Sequence, residues 1–245
     1  VDDFGIYYDP GHESRLERLL NESAELSSGQ LTRAANLRAR LISSRISKYN
    51  IGEIAGCEDW PRGNRILVPG QVEDDASILR GAGKISSNLD LLVRVRTDNP
   101  TAFIVYKPHP DVEVGLRKGK IPDDEVLKYA DVILDGIDPI SAIEVCDEVS
   151  TMTSLLGFEA LLRGKKVTCF GTPFYAGWGL TQDLGDLVER RVAKPKLDAL
   201  VYAVLVAYPR YFDPITGLAC PVEVVVDRLE NGGFTRAPGN RVLAK

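Results

Sequence analysis

Short apolar segments alternate with helical patterns from residue 63 onward. The apolar segments are rich in β-branched and aliphatic side chains, and turn residues follow them, which is typical of buried strands. They lie at 65–69, 101–106, 132–134, 148–152 and 166–170. Between them, apolar residues recur at helical spacing in 86–97, 123–129, 140–146 and 153–163. This alternation predicts right-handed crossovers, and therefore an α/β fold with a Rossmann-like parallel sheet and helices on both faces.

The two ends of the chain follow other patterns. We expect a short strand at 5–8 and helices at 12–23 and 31–49, the second with a solvated basic face. Helices at 197–208 and 222–230 are expected to close the sheet domain. We therefore divide the chain into a helical segment (1–62), a Rossmann-like domain (63–232) and a polar tail (233–245).

Composition excludes several classes of protein. The chain has 245 residues, of which 44% are hydrophobic and 27% charged, as in ordinary soluble domains. Its net charge is −5 and no block of like charges stands out, which argues against a nucleic-acid partner. Two histidines exclude a His-rich metal site, and the four cysteines lack paired or metal-type spacing, which indicates a reducing compartment. Neither a signal peptide nor a membrane-length apolar run is visible.

Polar residues follow the first predicted strand. Pro69-Gly70 marks a sharp turn, after which Gln71 and three acids come within a few residues: Glu73, Asp74 and Asp75. In an open parallel sheet, the turns after the carboxyl ends of strands are where ligands bind. The alternative interpretation is a solvated acidic loop.

Two further polar clusters follow other strands. His109 is fixed between two prolines in Tyr106-Lys-Pro-His-Pro-Asp111, where the imidazole and the Lys107 ammonium can bind a phosphate and neutralise a leaving group. Alternatively, His109 caps the sheet edge through a backbone hydrogen bond. Thr153 and Ser154 begin a helix and can form an anion site, or simply cap it, and Glu159 can accept from sugar hydroxyls. Three clusters at one sheet edge favour a ligand site.

A fourth segment, 170–181, is rich in glycine and aromatic residues. Such a loop can cover a planar ligand, or it can fill a gap in the packing with Phe174, Tyr175 and Trp178. The chain has neither Gly-x-Gly-x-x-Gly after a strand nor a P-loop, so neither a dinucleotide nor a Walker-type triphosphate is indicated.

Together these motifs resemble the bacterial capsule polysaccharide synthesis and export family, the KpsC/LipB-like retaining β-Kdo glycosyltransferases. The resemblance rests on five segments: Val68-Pro-Gly-Gln-Val-Glu-Asp-Asp-Ala-Ser77, Tyr106-Lys-Pro-His-Pro-Asp111, Thr153-Ser-Leu-Leu-Gly-Phe-Glu-Ala-Leu-Leu-Arg-Gly164, Gly171-Thr-Pro-Phe-Tyr-Ala-Gly-Trp-Gly-Leu-Thr181 and Tyr208-Pro-Arg-Tyr-Phe-Asp-Pro214. It implies the donor-binding half of a GT-B-like enzyme. The chain starts at Val1 without Met, so we expect 1–62 to be the remnant of, or linker from, an amino-terminal acceptor-side half.

The resemblance also implies a reaction and its residues. Kdo is transferred with retention from CMP-β-Kdo to a lipid-linked acceptor, a phospholipid bearing Kdo, at the cytoplasmic face of the inner membrane, with capsule assembly and export proteins as partners. Neither a cofactor nor a metal is expected. Asp75 and His109 are implied as catalytic residues. The implied nucleotide-binding residues are Gln71, Lys107, His109, Thr153, Ser154 and Glu159.

Position also favours Asp75 as the nucleophile. It lies beyond the strand end, beside the expected positive end of a following helix or turn, and Glu73 and Asp74 should be more exposed than it. The alternative functions are a non-catalytic or degenerate module that serves as a scaffold in capsule assembly, and another GT-B enzyme such as a nucleotide-sugar epimerase.

Overall fold

The computed structural model describes residues 2–47, 56, 60–61 and 63–232. Its main sheet has six parallel strands: β1 (Arg65–Pro69), β2 (Phe103–Lys107), β3 (Val132–Ile133), β4 (Glu148–Thr151), β5 (Lys166–Cys169) and β6 (Gln182–Asp183). Their spatial order is β3-β2-β1-β4-β5-β6. The chain runs outward to one side from β1 to β3 and to the other from β4 to β6, so a topological switch point lies between β1 and β4. The predicted Rossmann-like sheet is confirmed.

Helices cover both faces of this sheet. They are α1 (Arg15–Asn21), α2 (Ser28–Ser43), α3 (Ala76–Gly81), α4 (Asn88–Asp98), α5 (Pro110–Glu113), α6 (Asp123–Val126), α7 (Pro139–Glu144), α8 (Leu155–Leu162), α9 (Leu197–Val201) and α10 (Val222–Glu230). A 3-10 turn, Ser23–Glu25, follows α1, and a π-helical turn, Tyr202–Ala207, continues α9. Two short antiparallel strands, β7 (Tyr211–Phe212) and β8 (Ala219–Cys220), form a separate hairpin.

The alternation of side chains along β1 divides the core into two layers. Ile66 and Val68 pack with apolar residues of α3 and α4 on one face, whereas Leu67 packs with α7, α8 and α9 on the other. A central parallel strand is buried on both faces, which explains why the sequence shows a continuous apolar run rather than an alternating one.

The amino-terminal helices belong to the same core as α8 and α9. Leu16 and Leu20 of α1 and Ala34 of α2 are buried in that cluster. The solvated basic face predicted for α2 is present, with Arg33 exposed, and its arginines are paired with acids. Arg33 bonds Glu223 at 2.7 Å and Arg38 bonds Asp198 at 3.0 Å, so this face is partly covered by α10 and α9.

Several predicted elements need correction. Residues 5–8 form turns rather than a strand, and the predicted helix 197–208 changes to π-helical geometry after α9. The short helices α3 and α5, the edge strand β6 and the hairpin were missed. The predicted tail 233–245 and much of the loop before β1 lie outside the described residues.

Candidate active site

A cavity of about 470 Å³ opens at the carboxyl edge of the sheet, across the switch point. Its lining includes every site residue that the sequence suggested: Gln71, Asp75, Lys107, His109, Thr153, Ser154 and Glu159. The loops after β1, β2 and β4 therefore bring the three polar clusters together, as expected from parallel strands. The roles of these residues stay predictions.

The loop after β1 depends on a close approach between two backbones. Gly70 accepts no side chain, because a Cβ there would lie 2.7 Å from Tyr106 Oη and 3.2 Å from the backbone nitrogen of His109. The Gly70 N–H group donates to the carbonyl of Lys107 at 2.7 Å. Because glycine has no side chain, the loop that contains Asp75 packs directly against the loop that contains His109.

Asp75 is the N-cap of α3. Its Oδ1 accepts from Ser77 N at 2.9 Å and from Ser77 Oγ at 2.7 Å, so the carboxylate lies at the positive end of this short helix. The expected order of exposure was wrong. Glu73 is half-buried because its carboxylate accepts from Asn88 N at 2.7 Å, whereas Asp75 is exposed toward the cavity.

Gln71 is buried and links two loops of the site. Its Oε1 accepts from Thr151 Oγ1 at 3.1 Å and from Thr153 N at 3.0 Å, while Nε2 donates to Thr153 Oγ1 at 2.9 Å. An amide oxygen with two donors has little capacity for a ligand. The geometry therefore fits a positioning role for Gln71 better than the nucleotide contact suggested by the sequence.

Lys107 places a buried ammonium group in the cavity wall. The residue is only 3% exposed, and no described residue accepts a hydrogen bond from its Nζ. Burial lowers the pKa of Lys107, and the carboxylates of Glu113, Asp135 and Asp138 oppose that shift. Such a cation is well suited to an anionic ligand, because binding would replace the hydration that burial removes.

His109 caps α5, which Pro110 begins. Its Nδ1 accepts from Asp111 N at 3.1 Å, so in the neutral ring the hydrogen is on Nε2. His109 makes the backbone hydrogen bond that the capping interpretation expected, but the element it caps is α5 and not the sheet edge. This bond is compatible with a ligand contact. One ring nitrogen fixes the orientation of the imidazole while the other can donate.

The start of α8 provides hydrogen-bond donors on the other side of β1. Ser154 is the N-cap, with Oγ accepting from Leu156 N at 3.2 Å, and its own hydroxyl hydrogen remains able to donate. Within the described part of the chain, no acceptor contacts the backbone N–H of Leu155, which also lines the cavity. Together with the helix dipole, these donors form an anion-binding helix start. Glu159, 7% exposed, lies on the next turn.

The glycine- and aromatic-rich loop is mainly a packing element. Tyr175 and Trp178 are fully buried, and the Tyr175 hydroxyl bonds the Ser154 carbonyl behind the start of α8. The indole of Trp178 donates to the Phe174 carbonyl at 2.8 Å. Only Phe174 of these three reaches the cavity, so the packing interpretation holds for the other two.

The amino-terminal residues contribute to the cavity in a way that the sequence did not indicate. Tyr7 and Tyr8 form part of its wall, as do Arg117, Pro139 and Pro173. The Asp2 carboxylate holds this segment by accepting from Arg15 N at 2.9 Å and from Tyr208 Oη at 3.1 Å. No local pattern in 2–9 predicts these long-range contacts.

The strand order and the cavity at the switch point define a Rossmann-like α/β protein, and the polar groups of that cavity are suited to an anionic ligand. Within this class, residues 30–211 match the family described as capsule polysaccharide biosynthesis protein, and the chain belongs to that family. The family resemblance indicated by the motifs is confirmed.

Known relatives extend beyond this chain. It is 46% identical over 229 residues to the capsule polysaccharide modification protein LipA of Neisseria meningitidis, covering 94% of this chain and 32% of LipA. It is 41% identical over 241 residues to the lipopolysaccharide-processing protein LpsZ of Rhizobium meliloti, covering 96% of this chain and 54% of LpsZ. The chain therefore spans about a third to a half of these relatives.

Two solved structures share the fold closely. The β-Kdo 2,7 transferase of Thermosulfurimonas dismutans KpsC has a TM-score of 0.80 and 40% identity, covering 95% of this chain and 71% of that one. The β-Kdo 2,4 transferase of the same protein has a TM-score of 0.84 and 35% identity, covering 94% and 72%.

Two features are absent from the described residues. No helix among them is long and apolar enough to cross a membrane. No group of three or more His, Cys, Asp or Glu side chains is arranged there to hold a metal ion.

Proposed function

We propose that this chain is the donor-binding module of a GT-B-like glycosyltransferase, which transfers Kdo with retention from CMP-β-Kdo to a lipid-linked acceptor in capsule linker synthesis. The observation that carries the proposal is the single cavity that gathers Asp75, His109, Ser154 and Glu159. The identity of 40% and 35% to two structures described as β-Kdo transferases supports the sugar.

In this proposal the anion-binding groups hold the phosphate of CMP. Lys107 Nζ, His109 Nε2, Ser154 Oγ and Leu155 N–H stabilise the charge that develops as CMP departs. Because the sugar is attached to CMP through a single phosphate diester, the departure of CMP needs only stabilisation of the charge on that phosphate. Glu159 accepts from ribose hydroxyls, and Gln71 and Thr153 hold the loops of the site in register.

Asp75 is proposed as the nucleophile of a double displacement. One carboxylate oxygen forms a bond to the anomeric carbon of Kdo as the bond to the CMP phosphate oxygen breaks and CMP leaves. The acceptor hydroxyl then attacks the same carbon, its proton passes to water, and the bond to Asp75 breaks to release the carboxylate. Two inversions give retention, as in retaining glycosidases.

The proposed acceptor is a lipid, so we propose that the intact enzyme acts at the inner membrane surface through peripheral contact. Capsule assembly and export proteins are the proposed partners there. Sedimentation of an intact homologue with vesicles tests this location. Equal activity on soluble Kdo oligomers, with no binding to vesicles, would contradict it.

Calorimetric titration with CMP tests the donor site. His109→Ala and Ser154→Ala should each weaken CMP binding by about ten- to hundredfold, because each removes a hydrogen bond to a charged group, worth about 1.5–3 kcal/mol. Ser87→Ala is the matched control for Ser154→Ala, because Ser87 caps α4 in the same way but lies outside the cavity.

The same titration separates the alternatives. A scaffold module would not bind CMP, and another GT-B enzyme would bind UDP or CDP in competition with CMP. Unchanged CMP affinity in both His109→Ala and Ser154→Ala would contradict the assigned phosphate site.

A further inference from the structure

The amino-terminal segment of residues 2–10, called here the N-terminal strap, forms one end of the cavity. Besides the Asp2 contacts, the strap is held where Arg190 Nη2 donates to the Pro10 carbonyl at 2.7 Å. Gly5 fits tightly, because a Cβ there would lie 2.7 Å from the Glu13 carbonyl. These contacts within the protein hold the strap in position as a wall of the cavity, without any ligand.

Tyr7 is the more exposed of the two aromatic residues of the strap that line the cavity. It is 41% exposed, lines the cavity and meets three other rings edge-on: Tyr8 at 5.4 Å, Phe174 at 5.7 Å and Tyr208 at 6.2 Å between centroids. Within the described residues, no group bonds the hydroxyls of Tyr7 or Tyr8. The ring is therefore held by its neighbours, while part of its surface and its hydroxyl remain available to a ligand.

The strand order shows which end of the cavity the strap occupies. Loops at the carboxyl edge follow the order of the strands, so Pro139, after β3, lies toward one end and Phe174, after β5, toward the other. The phosphate-binding groups come after β2 and β4, between these ends. Tyr7 contacts Phe174 and therefore lies at the β5 end.

The strap also lies against the element that Asp75 caps. A Cβ at Gly81, the last residue of α3, would lie 3.6 Å from the Tyr8 carbonyl, and Arg80 pairs with Asp9 at 3.8 Å. In the proposed function, Asp75 reaches the anomeric carbon of the sugar, so the strap, which lies against α3, borders the part of the cavity where the sugar binds.

We infer that Tyr7 is a substrate-positioning residue that stacks on the apolar face of a pyranose ring and donates its hydroxyl to a sugar oxygen. The inference rests on the proposed function and adds which part of the substrate the strap recognises. A rigid aromatic side chain with a polar tip suits this task, because little conformational entropy is lost when it binds.

Titrations of the 245-residue chain with CMP, and then with the methyl β-glycoside of Kdo in saturating CMP, test this inference. Tyr7→Ala should weaken binding of the glycoside about tenfold and leave CMP affinity within about twofold, given the usual strength of ring contacts. Tyr7→Leu should behave like Tyr7→Ala while retaining apolar volume, and Tyr7→Phe should lose only the hydroxyl contribution. Ile6→Ala, on the same strap but outside the cavity lining, is the control.

Each other outcome has a definite meaning. Equal loss of CMP and glycoside binding would assign Tyr7 to the nucleotide and overturn the inference. Unchanged glycoside binding in Tyr7→Ala and Tyr7→Leu, or a wild-type chain that binds CMP but no glycoside, would also overturn it. A wild-type chain that binds neither would contradict the proposed function itself, and the inference with it.

Discussion

Three candidate functional side chains are also helix caps. Asp75, His109 and Ser154 cap α3, α5 and α8 respectively, each through one polar atom that accepts from a backbone N–H group. The structural and functional interpretations of these residues are therefore compatible. Capping fixes the side chain, and the remaining oxygen, nitrogen or hydrogen can contact a ligand. The sequence could predict these residues because each comes shortly after the end of a strand, where the next helix begins. It could not predict that the amide oxygen of Gln71 accepts hydrogen bonds from Thr151 and Thr153.

Asp75→Asn separates capping from catalysis. Asparagine caps helices as well as aspartate does, but it is not a carboxylate nucleophile. We expect Asp75→Asn to bind CMP within a few fold of wild type and to form no covalent adduct, because the nucleophile acts in the transition state. Intact-mass spectrometry after incubation with CMP-Kdo and no acceptor should show one added Kdo residue in wild type. Asp124→Asn, at an exposed position outside the cavity lining, should keep the adduct. An adduct that persists in Asp75→Asn would assign the nucleophile to another residue, whereas transfer by wild type without any adduct would favour a front-face mechanism.

The lowered pKa of Lys107 predicts how CMP binding depends on pH. Burial makes the ammonium lose its proton at lower pH than an ordinary lysine, whose pKa is 10.5. CMP affinity should therefore be full below the lowered pKa of Lys107 and fall as pH rises through it, measured by calorimetry between pH 7 and 10. Lys107→Arg should abolish this fall, because a guanidinium stays charged. Lys120→Met, at an exposed position outside the cavity, should not alter the profile. The same decline in Lys107→Arg would show that another group titrates.

At the scale of elements, the sequence predicted those strands and helices that are long enough to show a periodic pattern of apolar side chains. β1 and α10 have the predicted bounds, and Gly164 ends α8 with a φ of 71°. The short helices α3 and α5, of six and four residues, carry too few turns to show a period. The strand expected at 5–8 was wrong, because Asp9 N donates to the Ile6 carbonyl at 3.0 Å and closes a turn over residues 7–8.

Gly157 shows how the packing of one helix supports the site. A Cβ at Gly157, in α8, would lie 2.2 Å from the hydroxyl of the fully buried Tyr175. Gly157→Ala should therefore lower the free energy of unfolding by about 1–3 kcal/mol, as overpacking does, measured by chemical denaturation. Gly29→Ala is the matched control, because Gly29 is also helical and its Cβ would meet only Ser27 Oγ, at 3.9 Å. That substitution should be neutral or stabilise by about 0.4–1 kcal/mol. Equal effects would show that Tyr175 moves aside freely.

At the scale of the whole molecule, the amino-terminal segment and the sheet domain form one packed body. α1 and α2 share the core of α8 and α9, and the N-terminal strap completes the cavity. These contacts join residues more than 170 positions apart, such as Arg191 and Glu17. Local patterns therefore predicted helices before β1 but not where they pack. The division at residue 62 was drawn from the strand–helix alternation that begins there, which carries no information on how the preceding helices pack.

A buried ion pair joins these two parts of the molecule. Arg191 Nε donates to Glu17 Oε1 at 2.9 Å, with side-chain exposures of 2% and 5%. Arg191 Nη1 also bonds the carbonyls of Pro173 and Ala176, both at 2.7 Å, beside the cavity wall. Burial lowers the pKa of Arg191, and its hydrogen bond and charge interaction with Glu17 oppose that shift.

Removing one partner of this ion pair should lower the free energy of unfolding far more than removing both. Arg191→Met leaves the Glu17 carboxylate buried, with only the more exposed Arg190 beside it, and should lower the free energy of unfolding by about 3–5 kcal/mol. Glu17→Leu combined with Arg191→Met should recover part of that loss, because a buried pair can be replaced by apolar groups at little net cost. Chemical denaturation of the single and double variants gives the coupling energy. Arg191→Met should also weaken glycoside binding through the displaced Phe174 and Tyr7. Lys128→Met, which breaks an exposed pair with Glu125 far from the strap, should alter neither quantity by much. Additive losses in the double variant would show that α1 and the aromatic loop are held independently.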